Sequence, residues 1–339
     1  MPAWLKTTLQ FGLSLLAGLL LLWWVFQGQD MQAIGETLRN ARYEWIAASG
    51  LAALWSHWLR ALRWRMLMAP LGTQPTKAQA FHAVMFGYLA NLALPRMGEI
   101  TRCGAINRKT KLPINSLLGT VIIERAIDMI LLLVFTALTI LLNFSLLQGP
   151  MVRMSQKLID LQILGIPLWL IGLSGLLGSV GGIWWYRKSL SGKLNHPLVV
   201  KGKGFLRGLW AGVKSIQQLQ QPFLFVLYSV GIWAGYYLMT YFCVFAFEST
   251  SMLNPNEGLL ILIAGSFGFV APVQGGIGAY HAVISRLLVS LPGRNIGLAD
   301  ALSFATLTHA AQTLLIMLAG FVSMVVLFSS KSKRHGHKS

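Results

Sequence analysis

The amino-acid sequence predicts an all-α, polytopic integral membrane protein. Hydrophobic residues make up 55% of the 339 residues and charged residues only 11%, with a mean hydropathy of +0.61. This composition is too apolar for a soluble domain of such length. The apolar runs and the positions of the basic residues then predict the architecture, which is six spans plus two re-entrant helical hairpins in an inverted repeat.

Six apolar runs are long enough to cross a bilayer, which takes about 20 helical residues. They cover residues 9–26, 45–64, 117–142, 163–186, 222–247 and 299–328. The first run follows Lys6 as a signal peptide would. It is longer than the usual apolar part of one, and no small-residue cleavage site follows it. We therefore expect it to be retained as the first span.

Two further apolar segments are interrupted. The first, 78–107, is broken at Pro95-Arg96-Met97-Gly98, and the second, 258–291, at Pro272 to Gly278. Each half has about 13–15 residues, which is too short to cross the bilayer. Each segment is therefore predicted to form a hairpin that enters and leaves the membrane on one side.

The basic residues give the predicted orientation. If the N-terminus is cytoplasmic, most of the 28 lysines and arginines fall on the inner side, Arg60 and Arg63 among them, as the positive-inside rule requires. The order span, span, hairpin, span then occurs twice with opposite orientation. The sequence thus predicts repeats at 1–142 and 143–339, both termini in the cytoplasm, and a bacterial-type inner membrane.

The formal net charge of +18 is best explained by this topology and by attraction to anionic lipid head groups. We expect no nucleic acid partner. The two cysteines, Cys103 and Cys243, give neither a disulfide framework nor metal-ligand spacing. No phosphate-binding loop, catalytic elbow or metal set is readable, so we expect no catalytic residue, no cofactor and no metal.

The first interruption contains the best candidate ligands for an anion. Arg96 offers a planar, bidentate match to phosphate. Gly98 allows close approach of the backbone, and a helix beginning near it would point its positive end at the same place. Glu99 and Arg102 follow on that helix. Alternatively, Arg96 reaches the cytoplasmic surface and Glu99 only satisfies the helix dipole.

The run 117–142 carries three charged residues within one helical turn and a half. Glu124 and Asp128 share a helix face, and Arg125 can pair with Asp128. Charges at this depth need partners. Either a static ion pair joins this helix to the first hairpin, for example through Arg96 or Arg102, or the group balances charge at a substrate site. The two interpretations are compatible.

The second interruption is rich in glycine. Gly275, Gly276 and Gly278 predict a turn whose N–H groups lie ahead of another helix, and His281 follows one turn later. On the glycines alone, a hairpin turn that requires small residues is the better explanation. The histidine is more simply a packed, hydrogen-bonding residue than a proton relay.

These three motifs together resemble the lysylphosphatidylglycerol synthase transmembrane-region family. The residues that carry the resemblance are Pro95-Arg96-Met97-Gly98-Glu99 with Arg102, Glu124-Arg125 with Asp128, and Pro272 to Gly278. The family is flippase-like and includes the membrane half of multiple peptide resistance factor. Tyr280-His281 stands where members usually have a glutamate. The resemblance implies the flippase-like part only, without lipid aminoacylation.

Three functions follow as hypotheses. The first is a flippase that moves an anionic, aminoacylated or polyprenyl-phosphate lipid between leaflets, with the head group between the two hairpins. The second is a lipid-binding partner subunit that positions a lipid-modifying or glycan-assembly enzyme through basic cytoplasmic loops such as 187–221. The third, an integral membrane enzyme, has the least support because no nucleophile or metal set is present.

Overall fold

The protein is described by a computed structural model that covers residues 3–93, 97–144, 214–271 and 273–329. Residues 146, 162–163, 166–167 and 210–211 are described as well. The chain divides into two compact units, one of residues 1–139 with 208–339 and one of residues 140–207. Nearly everything described below belongs to the first unit. The predicted repeats, 1–142 and 143–339, stay a prediction.

The described residues are almost entirely helical, which confirms the all-α class. Ten α-helices are present among them: α1 Ala3–Phe26, α2 Met31–Arg39, α3 Tyr43–Met68, α4 Lys77–Ala93, α5 Gly98–Thr110, α6 Ile114–Leu142, α7 Pro222–Val244, α8 Pro255–Val270, α9 Ala279–Ser290 and α10 Leu298–Ser329. A 3₁₀ turn, Gln274–Gly276, lies between α8 and α9. Five of the six predicted apolar runs thus correspond to helices, namely α1, α3, α6, α7 and α10.

Three of these helices, α6, α7 and α10, are both long and apolar enough to cross a membrane. The apolar parts of α1 and α8 are shorter. Helix α3 is long enough, but Glu44, Arg60, Arg63 and Arg65 interrupt its apolar character. A multi-pass membrane protein is therefore indicated, while the number of six spans stays a prediction.

The predicted span at 163–186 lies outside the described residues apart from its first positions. There, strand β1 Gln162–Ile163 pairs with strand β2 Ile166–Pro167 in an antiparallel hairpin. A helix does not begin at Ile163 as expected. Pro167 is compatible with strand β2, because proline favours an extended conformation of the residue before it, Ile166.

Helices α3 and α7 lie side by side and run antiparallel. Ser49 Oγ donates to the carbonyl of Met239, and Ser56 Oγ donates to that of Ile232. The residue numbers of the contacts thus decrease along α7 as they increase along α3. Small residues allow the close approach. A side chain at Gly235 would meet Ser56 and Trp55. This pair places the C-terminal half of α3 beside the N-terminal half of α7.

Helices α4 and α5 form a tight hairpin around two glycines. A side chain on Gly98 would collide with the carbonyl oxygen of Gly87 and with Asn91. The Asn91 side chain instead accepts a hydrogen bond from the Gly98 N–H, at 2.7 Å, and so caps the start of α5. The helix therefore begins where the glycine lets two backbones meet.

Helices α8 and α9 form the second hairpin, and an ion pair joins its two ends, the start of α8 and the segment after α9. Asn254 and Glu257 make a reciprocal capping box at the start of α8. Arg294, just after α9, makes a bidentate ion pair with Glu257, with both nitrogen–oxygen distances 2.8 Å. The entry to α8 and the exit from α9 are consequently neighbours.

Helix α10 contacts both hairpins. Gly320 lies against Met85 and Leu89 of α4, and the His82 Nδ1 and Ser323 Oγ atoms are 3.0 Å apart. On its other side α10 contacts α9, where the Tyr280 and Thr308 hydroxyls are 3.3 Å apart. Helix α10 thereby joins the two broken segments in one bundle.

Candidate functional site

The carboxylate of Glu124 is the centre of a buried charge cluster. Its side chain is 0% exposed, yet it accepts hydrogen bonds from three arginines. The nitrogen–oxygen distances are 2.7 Å to Arg60, 3.0 Å to Arg125 and 3.2 Å to Arg102. The cluster therefore joins α3, α5 and α6. The predicted ion pair between α6 and the first hairpin is present, and Arg102 makes it.

Asp128 lies one turn further along α6 and forms ion pairs with two arginines of α3. Arg60 Nη1 is 2.7 Å from Asp128 Oδ2, and Arg63 Nη2 is 2.6 Å from Asp128 Oδ1. The spacing explains the fit, because residues three apart on α3 and four apart on α6 each share one helix face. Arg125 Nη1 lies 3.9 Å from Asp128, as its sequence position predicts.

Neutral partners satisfy much of the remaining capacity of these arginines. The Tyr236 hydroxyl on α7 accepts from Arg60 Nε and Nη2 at 3.2 and 2.9 Å. The Ser229 hydroxyl accepts from Arg63 Nη1 at 3.3 Å. The Arg102 guanidinium lies over the Trp64 ring, 4.5 Å from its centroid. Arg60, Arg63 and Arg102 are thus held in place by protein groups.

Among the described residues the cluster carries a surplus of positive charge. Four arginines, Arg60, Arg63, Arg102 and Arg125, meet three carboxylates, Glu99, Glu124 and Asp128. Arg125 differs from the other three because 45% of its side chain is exposed, whereas those of Arg60, Arg63 and Arg102 are at most 4% exposed. Arg125 is therefore the arginine with donors available to a ligand.

A cavity of about 660 Å³ opens beside the cluster. Helices α3, α4, α6, α7, α8 and α10 line it, together with the Gln274–Gly276 turn and the start of α9. Its polar wall is formed by His57, Arg60, Tyr88, Asn91, Arg125, Asp128, Tyr236, Thr240, Ser266 and Gln312. Much of the rest is apolar, with Leu132, Ile261, Leu262, Leu315 and Ile316 among the lining residues. The site is thus amphipathic, with charge in one part and a hydrocarbon-like surface in another.

The glycine turn of the second hairpin reaches the same cavity. Gly275 and Gly276 line it and have positive φ angles of 57° and 75°, which other residues adopt at a cost. His309 Nε2 on α10 lies 2.8 Å from the carbonyl oxygen of Gly275 and holds the turn. The Gln274 side chain donates to the carbonyl of Leu92 at the end of α4. The second interruption therefore contacts the end of α4, just before the first interruption.

The structure places four of the predicted site residues on the cavity wall, namely Arg125, Asp128, Gly275 and Gly276. Glu124 and Arg102 lie behind that wall, buried in the ion-pair cluster. Glu99 is beside Arg125, with 3.9 Å between the carboxylate and Nε. Arg96, the leading candidate from the sequence, lies outside the described residues, as does Pro272.

Three predicted residues have packing roles in the geometry. Gly98 forms the crossing of α4 and α5 described above. Gly278 lies against α1, where a side chain would meet Leu21 and the Gly18 carbonyl. The His281 ring lies 5.1 Å from that of His309 and 6.1 Å from that of Phe26, and it is not among the cavity-lining residues. A ligand-binding role for these three stays a prediction.

Sequence reasoning missed Arg60, Arg63 and Tyr236 as members of the site. The topology count treats the two arginines as inner-side charges, whereas both are buried within α3, 3% and 0% exposed. Their carboxylate partners neutralise them, which weakens them as a topology signal. One feature could have identified them, since two arginines three residues apart inside an apolar run need partners on one face.

The comparison with known families agrees with this architecture. The family model described as "Lysylphosphatidylglycerol synthase TM region" matches residues 11–320. The chain belongs to this family. Membership of the lysylphosphatidylglycerol synthase TM region family confirms the resemblance seen in the motifs and associates the chain with membrane lipids. No curated protein and no solved structure gives a match.

Proposed function

We propose that the protein is a lipid transporter that moves an anionic, aminoacylated or polyprenyl-phosphate lipid between the leaflets of a bacterial-type inner membrane. The observation that carries this proposal is the amphipathic cavity beside the arginine-rich cluster. A lipid has the same two-part chemistry, because its head group needs polar partners and its chains need an apolar surface. Arg125 and Asp128 stand on the wall where the head group would lie.

The depth of the cluster supports a transport site. Helix α6 begins at Ile114, and a rise of 1.5 Å per residue puts Asp128 roughly 20 Å along it. If α6 crosses a hydrocarbon layer of about 30 Å, Asp128 lies in its interior. A charged group at such a depth is costly and commonly marks the path of a polar substrate.

The two broken segments support the same location. Paired interrupted helices in corresponding halves of a transporter commonly meet at the substrate site. In this chain Gln274 of the second interruption contacts Leu92 in the last turn of α4, just before the first interruption, and both Gly275 and Asn91 of α4 line the cavity. We infer that α4–α5 and α8–α9 are re-entrant hairpins, entering from the inner and the outer side respectively.

Transport is expected to run downhill or to be coupled to protons through Glu99 or Asp128, since the sequence contains no nucleotide-binding loop. The protein is proposed to alter only the position of the lipid and not its covalent structure. The molecular masses of lipids recovered after a transport assay, measured by mass spectrometry, should therefore be unchanged. Conversion of any lipid by the purified protein would contradict this and favour an enzyme.

The test is transbilayer exchange in proteoliposomes that contain a broad panel of labelled lipids. At least one phosphate-bearing lipid should exchange faster than in protein-free liposomes, and Arg125→Gln should slow that exchange by about tenfold or more. The matched control is Arg286→Gln, because Arg286 is an exposed arginine that lies over Trp24, 4.6 Å from its ring centroid, away from the cavity.

The transporter proposal would be contradicted if every lipid of the panel exchanged no faster than in empty liposomes. If the protein nevertheless bound one of those lipids, the result would favour the alternative of a lipid-binding partner subunit. Its basic segment 187–221 lies largely outside the described residues.

A further inference from the structure

We infer that the cavity selects a lipid whose phosphate head group has a net negative charge and excludes head groups that carry an ammonium, such as aminoacylated ones. This inference rests on the proposed function and narrows its substrate class. It follows from three features of the site, which are the engagement of its carboxylates, the type of its unpartnered groups and its apolar wall.

No carboxylate on the cavity wall is available to receive an ammonium among the described residues. Glu124 is fully buried and accepts from three arginines. Asp128, which does line the cavity, accepts from Arg60 and Arg63 through different oxygens. An ammonium would have to displace a buried arginine from its partner, which would leave the arginine charge uncompensated in an apolar region.

Glu99 does not supply the missing carboxylate. Its side chain is 28% exposed, its Oε1 atom lies 3.9 Å from Arg125 Nε, and its Oε2 atom has no hydrogen-bond partner among the described residues. It is not among the residues that line the cavity. Its neighbour Arg125 does line the cavity, and the guanidinium there has the same sign of charge as an ammonium.

The groups on the cavity wall that lack a partner are suited to a ligand with oxygen acceptors. Trp233 is 6% exposed, and its indole N–H, which can only donate, has no hydrogen-bond partner. His57 is 7% exposed, and its Nδ1, which donates in one of the two neutral tautomers, is likewise unpartnered. Both residues line the cavity together with the half-exposed Arg125. A buried donor without a partner is costly, and a phosphate oxygen would satisfy it.

Trp233 and the cluster are on the same wall. Trp233 and Tyr236 are three apart on α7 and therefore share a helix face, with ring centroids 6.1 Å apart. The hydroxyl of Tyr236 is bonded to Arg60. A phosphate could thus approach Arg125 and the indole N–H on one side of the cavity, where the cluster has its surplus positive charge.

The apolar part of the cavity favours a lipid over a free phosphate. Leu132 of α6, Leu262 of α8 and Leu315 of α10 line it from three different helices. A soluble anion would leave this surface uncovered. Acyl or prenyl chains would cover it, and the gain from burying apolar area adds to the binding of the head group.

The test measures binding rather than transport, with the purified full-length protein in a neutral detergent. The probes are short-chain phosphatidylglycerol, its lysyl ester and inorganic phosphate, each titrated by isothermal calorimetry. Phosphatidylglycerol should bind at least tenfold more tightly than the other two. Arg125→Gln should lower the affinity for phosphatidylglycerol by about tenfold and leave the affinity for the lysyl ester unchanged. Arg286→Gln should change neither affinity.

Equal or tighter binding of the lysyl ester would overturn the inference, and equal binding of inorganic phosphate would overturn the assignment to a lipid. These outcomes differ from a failure of the proposed function. Preferential binding of phosphatidylglycerol without any exchange in proteoliposomes would contradict the transporter and leave the selectivity in place. Exchange of both lipids at the same rate, with equal affinities, would contradict the selectivity and leave the transporter proposal in place.

Discussion

At the scale of single residues, the site depends on charges that compensate one another in an apolar environment. Arg60 donates to Glu124, Asp128 and Tyr236, so it links α3 to both α6 and α7. Breaking one partner of a buried ion pair costs more than the pair contributes, because a charge is left unpaired. The cluster must therefore stay intact for the cavity wall to keep its shape.

Asp128→Asn tests this dependence. The substitution removes the charge that compensates Arg63, so we expect the protein to lose about 3 kcal/mol or more of stability. The midpoint of thermal unfolding in detergent should fall accordingly. The control is Glu36→Gln on α2, because Glu36 lies in an exposed hydrogen bond with Gln32. An Asp128→Asn protein as stable as the Glu36→Gln protein would contradict a structural role for the pair.

Trp233→Phe separates binding from stability. The change keeps an aromatic ring against Phe135, with which Trp233 is stacked at 5.1 Å, but removes the unpartnered N–H. Stability should change by less than about 1 kcal/mol, since no hydrogen bond within the protein is lost. Affinity for phosphatidylglycerol should fall by about tenfold if this N–H donates to the lipid, as a hydrogen bond to a charged group is worth about 1.5–3 kcal/mol.

The control for this variant is Trp58→Phe. Trp58 is a tryptophan of α3 that lies 5.5 Å from the Phe81 ring and does not line the central cavity. It should leave lipid affinity unchanged. Unaltered affinity in Trp233→Phe would remove the indole from the proposed binding surface.

At the scale of helices, the hairpin α4–α5 positions Arg102 for its pairing with Glu124. The crossing at Gly87 and Gly98 brings the two backbones together, and Arg102 lies one turn beyond it. Asn91 fixes the start of α5 by accepting from the Gly98 N–H. The geometry of the ion pair therefore depends on a helix crossing that only glycine permits.

Gly98→Ala should separate α4 from α5, because the new methyl group would collide with the Gly87 carbonyl and Asn91. Overpacking of this kind costs about 1–3 kcal/mol, so both the unfolding temperature and lipid exchange should decrease. Gly104→Ala on the same helix is the matched control, since nothing lies within 4 Å of the added atom. It should stabilise α5 by up to about 1 kcal/mol. Equal effects of the two variants would exclude the tight crossing.

At the scale of the whole molecule, the two predicted halves, 1–142 and 143–339, contribute different charges to the site. Glu124 of α6, which begins at Ile114, stands at the same offset as Thr308 of α10, which begins at Leu298. Glu124 binds arginines, whereas Thr308 makes a neutral contact with Tyr280. The charge of the described site is thus concentrated in the first half, and the second half contributes a glycine turn held by His309.

The topology predicts the side of the membrane on which each loop lies. If both broken segments are re-entrant, single cysteines at Gln74 and Lys111 should react with an impermeant reagent only from the inner side. Cysteines at Ser251 and Asn295 should react only from the outer side, as the ion pair of Arg294 with Glu257 closes that hairpin. Labelling of Gln74 and Lys111 from opposite sides would show that α4–α5 crosses the membrane.

The sequence was sufficient to predict the long apolar helices among the described residues, because apolar length and breaks at proline and glycine determine where a membrane helix begins and ends. Charged residues at i and i+4 likewise predicted the shared face of Glu124 and Asp128. The small helix α2 was not predicted, although Asp30 caps it by accepting from two N–H groups. Its nine residues are too few to give a clear periodic signal.

The partners of the cluster could not be predicted from local patterns. Arg60 and Arg63 pair with Asp128 although more than sixty residues separate them in the chain. Such pairing depends on how α3 and α6 pack. The contact of Gln274 with Leu92 has the same origin, since it joins the second interruption to the end of α4, which is distant in the chain. Sequence reasoning therefore found the chemistry on α6 and missed the helix that completes it.

If lipid passes through the cavity, a group that fills the cavity should stop transport. Ser266→Cys places a thiol on the cavity wall, and Ser290→Cys places one at an exposed helix end. The native protein serves as parent, since Cys103 and Cys243 are both buried. Exchange is measured in proteoliposomes before and after reaction with a charged methanethiosulfonate. We predict that modification stops exchange in Ser266→Cys and leaves Ser290→Cys unaffected. Undiminished exchange by fully modified Ser266→Cys would contradict the account.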